Sequence, residues 1–397
     1  MDSFRIYSDI SSVSAPKVLA KIDVCALRRN YRYLSSYAPN AKKICVVKAD
    51  AYGHTSAICV PALLEEGCDF FAVSCIEEAI AVRDICREAK RFADVLILGY
   101  TDLSLAPLLV EYDIIQTAVS EDYALALAAF ASDRGMRVRT HIALDTGMNR
   151  IGIGAVSDED CVAAAKAIKS IISLDGLKIE GLFTHFARAD EDFSASDGCE
   201  FTREQYRRFD LVRSLLLRDG VKLFCHASNS AATIRFPEYA LDGVRLGISL
   251  YGVAPSRHVS AELIPVMSLQ TLISHVHSVS KGETVGYGGT YLAEKDMTVA
   301  TLPIGYADGF LRSYSGFSLT VHTRSGDVKA PVIGRVCMDQ CMIDVSGTGA
   351  SFGDAVTVFG NDHSELSHLA EMAETIEYEV LCLVSARVPR VAVNKEV

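Results

Sequence analysis

The sequence predicts an α/β fold: a closed parallel (β/α)8 barrel followed by a smaller, mainly β domain. Three observations carry that reading. From about residue 27 to 255, short β-rich runs alternate with longer stretches whose apolar residues recur at three and four. Eight such runs occur, the number a parallel barrel needs. After about residue 265 the texture becomes short β-rich runs broken by Gly, Asp or Ser, the pattern of hairpins. The expected domains are residues 1–265 and 266–397, with the first residues able to pair with the β-domain.

The strand candidates, in order, are ICVV (44–47), FFAVS (70–74), VLILG (95–99), IIQTAV (114–119), VRTHIAL (138–144), IEGLFTHF (179–186), KLFCH (222–226) and VRLGISL (244–250). Helical stretches such as CIEEAIAVRDICREAKRF and REQYRRFDLVRSLLLRDG lie between them. An open doubly wound sheet would show the same alternation. No Gly-x-Gly-x-x-Gly turn follows the first strand, so dinucleotide binding has little support. The second domain is read from LQTLISHVHSVS, MTVATLPIG, SLTVHTR, APVIGRV, MIDVSG and AVTVFG. A last helical stretch, HSELSHLAEMAETI, precedes the closing segment YEVLCLVSARVPRVAV.

Composition narrows the function. Of 397 residues, 50% are hydrophobic and 22% charged, the balance of a globular chain with a large core. A net charge of -11 argues against broad electrostatic binding to nucleic acid or an anionic membrane. No apolar stretch approaches the roughly 18 to 20 residues that span a bilayer. The N-terminal segment has acidic and hydroxyl residues where a signal peptide places a basic segment and an apolar core, so a cytoplasmic protein is expected. The twelve cysteines are scattered through apolar runs such as KICVVK and AICVPALL, as buried thiols are. Cys337 and Cys341 are four apart, but no second pair at zinc-ligand spacing accompanies them, so no metal is expected.

Chemistry in a barrel belongs at the C-terminal ends of its strands. Lys48 follows the first run directly, and ADAYGHT then supplies Tyr52, Gly53 and His54. Alone, such a lysine reads as a solvated strand-end residue; with its pKa lowered it can bond an aldehyde cofactor and move a proton. The fifth strand runs into DTGMNRIGI with Arg150, and the sixth ends in THFA with His185. The seventh ends in HASNSAAT with His226, Asn229 and Ser230; the eighth holds Arg245, then Gly247 and Ile248. Ser230 and the backbone near Gly247 suit a phosphate. Taken singly, residues such as these read more readily as satisfied core or turn groups. Their concentration at successive strand ends is the stronger signal. In the second domain Tyr287, Tyr306 and Tyr378 lie in or beside turns and helices, and Met338 and Asp339 share the turn of RVCMDQCMID.

The segments VVKADAYGHT, DTGMNRIG, THFA, HASNSAAT, VRLGISLYG, VGYGGTY, LPIGYADG, VCMDQCMIDV and YEVLCLVSARVPR together resemble the alanine racemase family, in order and along nearly the whole chain. The resemblance implies a pyridoxal phosphate (PLP) barrel with a β-domain, acting as a head-to-tail homodimer on a small amino acid. It implies that Lys48 carries PLP and serves as acid-base group on one face of the substrate Cα. Tyr287, from the partner subunit, would serve the opposite face, with His185 as its partner. Arg245 would face the pyridine nitrogen. Tyr52, Ser230, Gly247, Ile248 and Tyr378 match the phosphate-binding set. Arg150 and the Met338 amide match the substrate-carboxylate contacts, Asp339 lies in the same loop, and Tyr306 lines the approach to the site.

The chain departs from the family at Ala143, where many members carry a carbamylated lysine that orients the arginine. A bound anion or Asn149 is the expected substitute. Ala386 is a second departure, to which no consequence attaches. The implied activity is interconversion of L- and D-alanine, supplying D-alanine for peptidoglycan. A serine or broader racemase of the same fold is the near alternative, which the bulk of Tyr378 opposes. A PLP-dependent decarboxylase would want an acidic group where Arg245 stands, and a non-catalytic PLP-binding protein would lack the domain bearing Tyr287.

Overall fold

The chain, described by a computed structural model over residues 16–192, 197–360 and 362–394, divides into two compact units. One comprises Leu27–Ala51 and Ser56–Ile264; the other holds the described residues from Pro265 onward, those up to Ala26, and Tyr52–Thr55. Residues 1–15, for which pairing with the β-domain was expected to be open, lie outside the described residues.

The first unit is a closed barrel of eight parallel strands: β1 (Lys42–Val46), β2 (Phe70–Val73), β3 (Asp94–Ile97), β4 (Ile115–Ala118), β5 (Val138–Asp145), β6 (Leu177–Phe183), β7 (Phe224–His226) and β8 (Gly243–Leu246). Each pairs with its sequence neighbour, and β1 pairs with β8 to close the ring. All eight candidate runs are strands. Six are shorter than expected, and for the last two the cause is plain. In the last, Gly247 leaves the extended region and residues Ile248–Tyr251 form a 3-10 turn, capped by left-handed Gly252. In the seventh, Val221 still bonds back to Leu216 in the preceding helix, so the strand begins only at Phe224.

The outer helices form for the reasons their sequences give. Over Asp158–Ile172, Ser157 and Asp160 make a reciprocal capping box. Cys161, Ala164, Ala165, Ile168 and Ile171 then fall on one buried face. Inside the barrel the filling is aromatic. Phe183 stacks on His226 with ring centroids 4.9 Å apart, and His141 lies edge-on to Phe70. Two glycines make room for these rings. A Cβ on Gly181 would stand 2.5 Å from the His141 ring, and one on Gly243 2.8 Å from Phe224.

The second unit is a nine-stranded sheet in the order His275–Val279, Met297–Leu302, Cys341–Asp344, Gly326–Ile333, Ser318–Thr323, Ala355–Phe359, Met267–Leu272, Val18–Asp23, Arg390–Val393. The strand Val18–Asp23 therefore belongs to this sheet, antiparallel to Met267–Leu272 and parallel to Arg390–Val393. The expected late helix is present as His363–Met372, and the closing segment folds as the helix Glu377–Leu383 before its last strand. None of the twelve cysteines is joined in a disulfide, and among the described residues no cluster of potential metal ligands occurs. No described helix is long and apolar enough to cross a membrane.

Because Gly181 faces a ring that cannot retreat inside a packed barrel, Gly181→Ala should lower the unfolding free energy by about 1–3 kcal/mol. A urea titration reads this as a lower midpoint with an unchanged slope. An unchanged midpoint would mean that the His141 ring moves aside freely.

Candidate active site

Lys48 is half-buried and follows β1 by one residue. The chain then winds the wrong way for L-residues. Ala49, Asp50, Ala51 and Tyr52 all adopt left-handed backbone angles, with φ between 49° and 58°. Each costs about 1–2 kcal/mol where no glycine relieves it, so the surroundings must hold the turn. Glu78 does much of this. One carboxylate oxygen accepts the N–H of Ala49 at 2.7 Å, the other that of Ser74 at 2.8 Å. Asp50 accepts from the N–H and hydroxyl of Ser56, and Ala51 N–H reaches Val47 O. The sequence signals Gly53, yet the strain falls on four residues that precede it.

Arg245, at the end of β8, is the most constrained group at this mouth. It is 3% exposed, and its hydrogen-bond acceptors are all uncharged. Nη1 donates to His226 Nδ1 at 2.7 Å and His226 O at 3.0 Å. Nη2 donates to Thr184 O at 2.6 Å, Ala227 O at 2.8 Å and, more weakly, His185 Nδ1 at 3.3 Å. Burial, then the charge of Arg150, pushes its pKa down to about 9, which leaves it a cation at neutral pH.

A guanidinium only donates, so these contacts fix tautomers. His226 must accept at Nδ1 and carry its proton on Nε2. That Nε2 lies 3.1 Å from His141 Nδ1, which therefore accepts. His185 likewise accepts at Nδ1 and keeps its proton on Nε2. All three imidazoles are held neutral. Removal from water lowers the His185 pKa most, followed by Arg245, Arg150 and Lys48. Burial, Arg245 and His141 act on His226, and burial takes His141 down to about 3.

The structure thus brings Lys48, Arg150, His185 and Arg245 into one electrostatic neighbourhood. Arg150 itself is exposed, in the loop after β5. That loop is an Asp-centred turn: Asp145 accepts from the N–H of Gly147 and of Asn149, each at 3.0 Å. Ala143 is buried and carries no polar group toward it. Among the described residues, neither the Asn149 side chain nor any carboxylate bonds the Arg150 guanidinium.

Asn229 caps the short helix Ser230–Arg235, accepting from Ala232 N, and donates to Phe186 O. Its amide is occupied with local structure. Ser230 Oγ accepts the Gly247 N–H at 2.8 Å, which leaves the serine proton to be donated. Ile248 opens the 3-10 turn, where a first N–H has no partner within its own turn.

The other expected residues belong to the second unit. The Tyr52 and Tyr378 rings lie 6.3 Å apart, and burial, then Cys382, raises the Tyr52 hydroxyl above the usual phenol range. Tyr287 is 68% exposed, between glycines with positive φ. The turns of Tyr306 and Met338 are joined: Tyr306 N–H donates to Cys337 O and Ala307 N–H to Met338 O. Only a glycine fits at position 305, where a Cβ would stand 2.3 Å from Cys337 O. Arg387 was not foreseen. It ties Asp308 to Asp339 through bonds of 2.7 Å each.

Two family models match the chain: alanine racemase, N-terminal domain, over residues 22–255, and alanine racemase, C-terminal domain, over residues 266–392. Alanine racemase 1 of Clostridium acetobutylicum is 39% identical over 385 residues, which cover 95% of this chain and 95% of that protein. The alanine racemase of Methanococcus maripaludis is 38% identical over 388 residues, covering 96% and 99%. Among solved structures, alanine racemase of Clostridium difficile matches with a TM-score of 0.86 at 32% identity, covering 96% of this chain and 97% of that one. The Bacillus anthracis alanine racemase with bound L-Ala-P matches at 0.84 and 30% identity, with 96% of each chain covered.

The depressed histidines have a measurable consequence. Below the ordinary histidine pKa of 6.5 the unfolded chain binds a proton at His141 that the native state refuses until about pH 3. Stability from this group is therefore full above that ordinary value and falls as pH drops below it, by up to about 1.4 kcal/mol per pH unit. Urea unfolding at about pH 6 and about pH 5 should show His141→Gln losing less stability over the step than the wild type by up to this amount. Equal losses would mean that His141 is already charged in the fold.

Proposed function

The chain belongs to the alanine racemase family, whose members are PLP-dependent isomerases, and we propose that it interconverts L- and D-alanine with PLP carried on Lys48. The observation that most supports this is the buried Arg245, a cation whose acceptors are all neutral and whose charge, like that of Lys48, acts on His185. The donor set suits the cofactor. It offers one amine for an aldehyde, a buried guanidinium for a ring nitrogen, and the Ser230 hydroxyl with the Ile248 N–H for a phosphate. Tyr52, Gly247 and Tyr378 complete the phosphate set by resemblance. When bound, PLP supplies the electron sink that acidifies the substrate Cα–H.

The chain's own residues would do the rest. Racemisation needs a proton removed from one face of Cα and returned to the other, and a base on one face alone tends to restore the starting configuration. Lys48 serves one face, and Tyr287 of the partner subunit the other, in a homodimer. His185, neutral with its proton on Nε2, offers that proton as a hydrogen bond to the tyrosine oxygen. Arg245, a cation with N–H donors and no acceptor, would donate a hydrogen bond to an unprotonated pyridine nitrogen. By holding that nitrogen unprotonated, Arg245 would restrain side reactions such as transamination. Arg150 and the Met338 amide bind the substrate carboxylate, Asp339 lies in the Met338 loop, and Tyr306 lines the approach. The bulk of Tyr378 favours a methyl side chain over a hydroxymethyl one. The product D-alanine would feed peptidoglycan synthesis in the cytoplasm.

Borohydride treatment of the holoenzyme, followed by peptide mass mapping, should leave the cofactor's mass on the peptide containing Lys48 and abolish activity. In racemisation assays, kcat/KM for alanine should exceed that for serine by about 10- to 100-fold. A label on another lysine would remove Lys48 from its role, an equal or better serine value would overturn the alanine assignment, and release of CO2 would point to a decarboxylase.

A further inference from the structure

The loop that presents Arg150 is held by a residue from a different element. Gln205 lies on the helix Asp197–Arg218 and is fully buried, as is Thr146, while Thr184 is 2% exposed. Every polar atom of the Gln205 carboxamide is bonded. Its Nε2 donates to Thr146 Oγ1 at 3.3 Å and to His185 O at 3.1 Å, and its Oε1 accepts the Ala187 N–H at 2.9 Å. The Thr146 and Thr184 hydroxyls lie 2.8 Å apart, and Thr184 O accepts from Arg245. One carboxamide thus joins the start of the Arg150 loop to the strand end that bears His185, and through Thr184 to Arg245.

The same helix face backs the loop further. Arg208 Nη1 donates to Thr146 O at 3.0 Å. A Cβ on Gly147 would meet Phe201 at 3.2 Å and Arg208 at 3.4 Å, so the loop lies flat against the helix. Beyond Arg150, Gly152 N–H donates to Val119 O at 2.7 Å, and a Cβ there would stand 2.6 Å from Asp145 N. Arg150 therefore lies between two anchored points of the loop.

We propose that Gln205 is a positioning residue that aims Arg150 at the substrate carboxylate by clamping Thr146 to the His185 strand end. The inference rests on the reading of Arg150 as the carboxylate-binding arginine. A buried amide that bridges two loops loses both bridges when replaced by a hydrocarbon of the same shape, while the bulk that fills the space remains. The loop then samples more directions, and carboxylate binding suffers before proton transfer does.

The test uses the holoenzyme and two variants, Gln205→Met and Thr146→Val, each alone and combined with Arg150→Lys. Expected for either single variant is a KM for alanine raised about tenfold with kcat within about threefold, and a Kd for propionate, by calorimetry, weakened by a similar factor. In the Arg150→Lys background the same replacements should add less than about twofold, because the clamp acts through that arginine. Thr146→Val keeps the Gln205 bonds to the His185 strand end, so it carries the test if Gln205→Met fails to fold. Unchanged KM and propionate affinity in folded variants would overturn the clamp, as would an undiminished effect in the Arg150→Lys background. If the wild-type holoenzyme leaves alanine unchanged, the alanine reading fails, and propionate binding still decides whether Gln205 acts through Arg150.

Discussion

Arg245 sits at the end of the last barrel strand, 3% exposed, with carbonyl oxygens and imidazole nitrogens as its acceptors. Burying a charge without an opposite charge is costly unless its donors are all satisfied. Satisfying them dictates the surroundings. Three carbonyls, from Thr184, His226 and Ala227, must point inward from two strand ends. Two imidazoles must turn Nδ1 toward the guanidinium and remain neutral. The Phe183 ring lies 5.3 Å from the guanidinium carbon and contributes a further neutral contact to the cation.

The same constraint links the barrel interior to its mouth. His226 cannot donate to Arg245, so its remaining proton goes inward to His141. His141 in turn needs the space that Gly181 leaves. A glycine deep in the barrel is therefore connected, through two histidines of fixed tautomer, to the Arg245 guanidinium at the barrel mouth. Lys48 is placed by a different expense: four left-handed residues held by Glu78, Asp50 and a backbone bond. Both devices hold charged or polar groups in place in advance of any ligand, the kind of pre-organisation on which electrostatic catalysis relies.

The barrel was largely legible in the sequence because parallel strands buried on both faces read as unbroken apolar runs. ICVV and FFAV are strands on that ground alone. The reading overran at VRLGISL because Ile, Leu and Tyr are as apolar in a 3-10 turn as in a strand; the turn is set by Gly247 and Gly252. Lys48, Arg245 and His185 were visible as polar residues directly after or within apolar runs. Gln205, Glu78 and Arg387 were not. The first two lie on amphipathic helices among charged neighbours, where a polar residue reads as part of the solvated face. Nor could ADAY announce a left-handed turn, since none of its residues is glycine and the conformation is imposed by partners distant in sequence. Of the substitutes expected for the lysine absent at Ala143, the Asn149 side chain makes no bond to Arg150 among the described residues, while Gln205 and Arg208, from a helix more than fifty positions later in the chain, bond the hydroxyl and carbonyl of Thr146 at the start of the loop.

The central claim is that two bases, Lys48 and Tyr287, address opposite faces of one Cα. The most direct measurement is Cα proton exchange in D2O by the Tyr287→Phe holoenzyme, followed by NMR for each alanine enantiomer separately. The two-base arrangement requires that one enantiomer exchange its Cα proton with retention while the other stays protonated, and that racemisation fall by about a hundredfold or more. Racemisation at the wild-type rate, or exchange of both enantiomers alike, would contradict it.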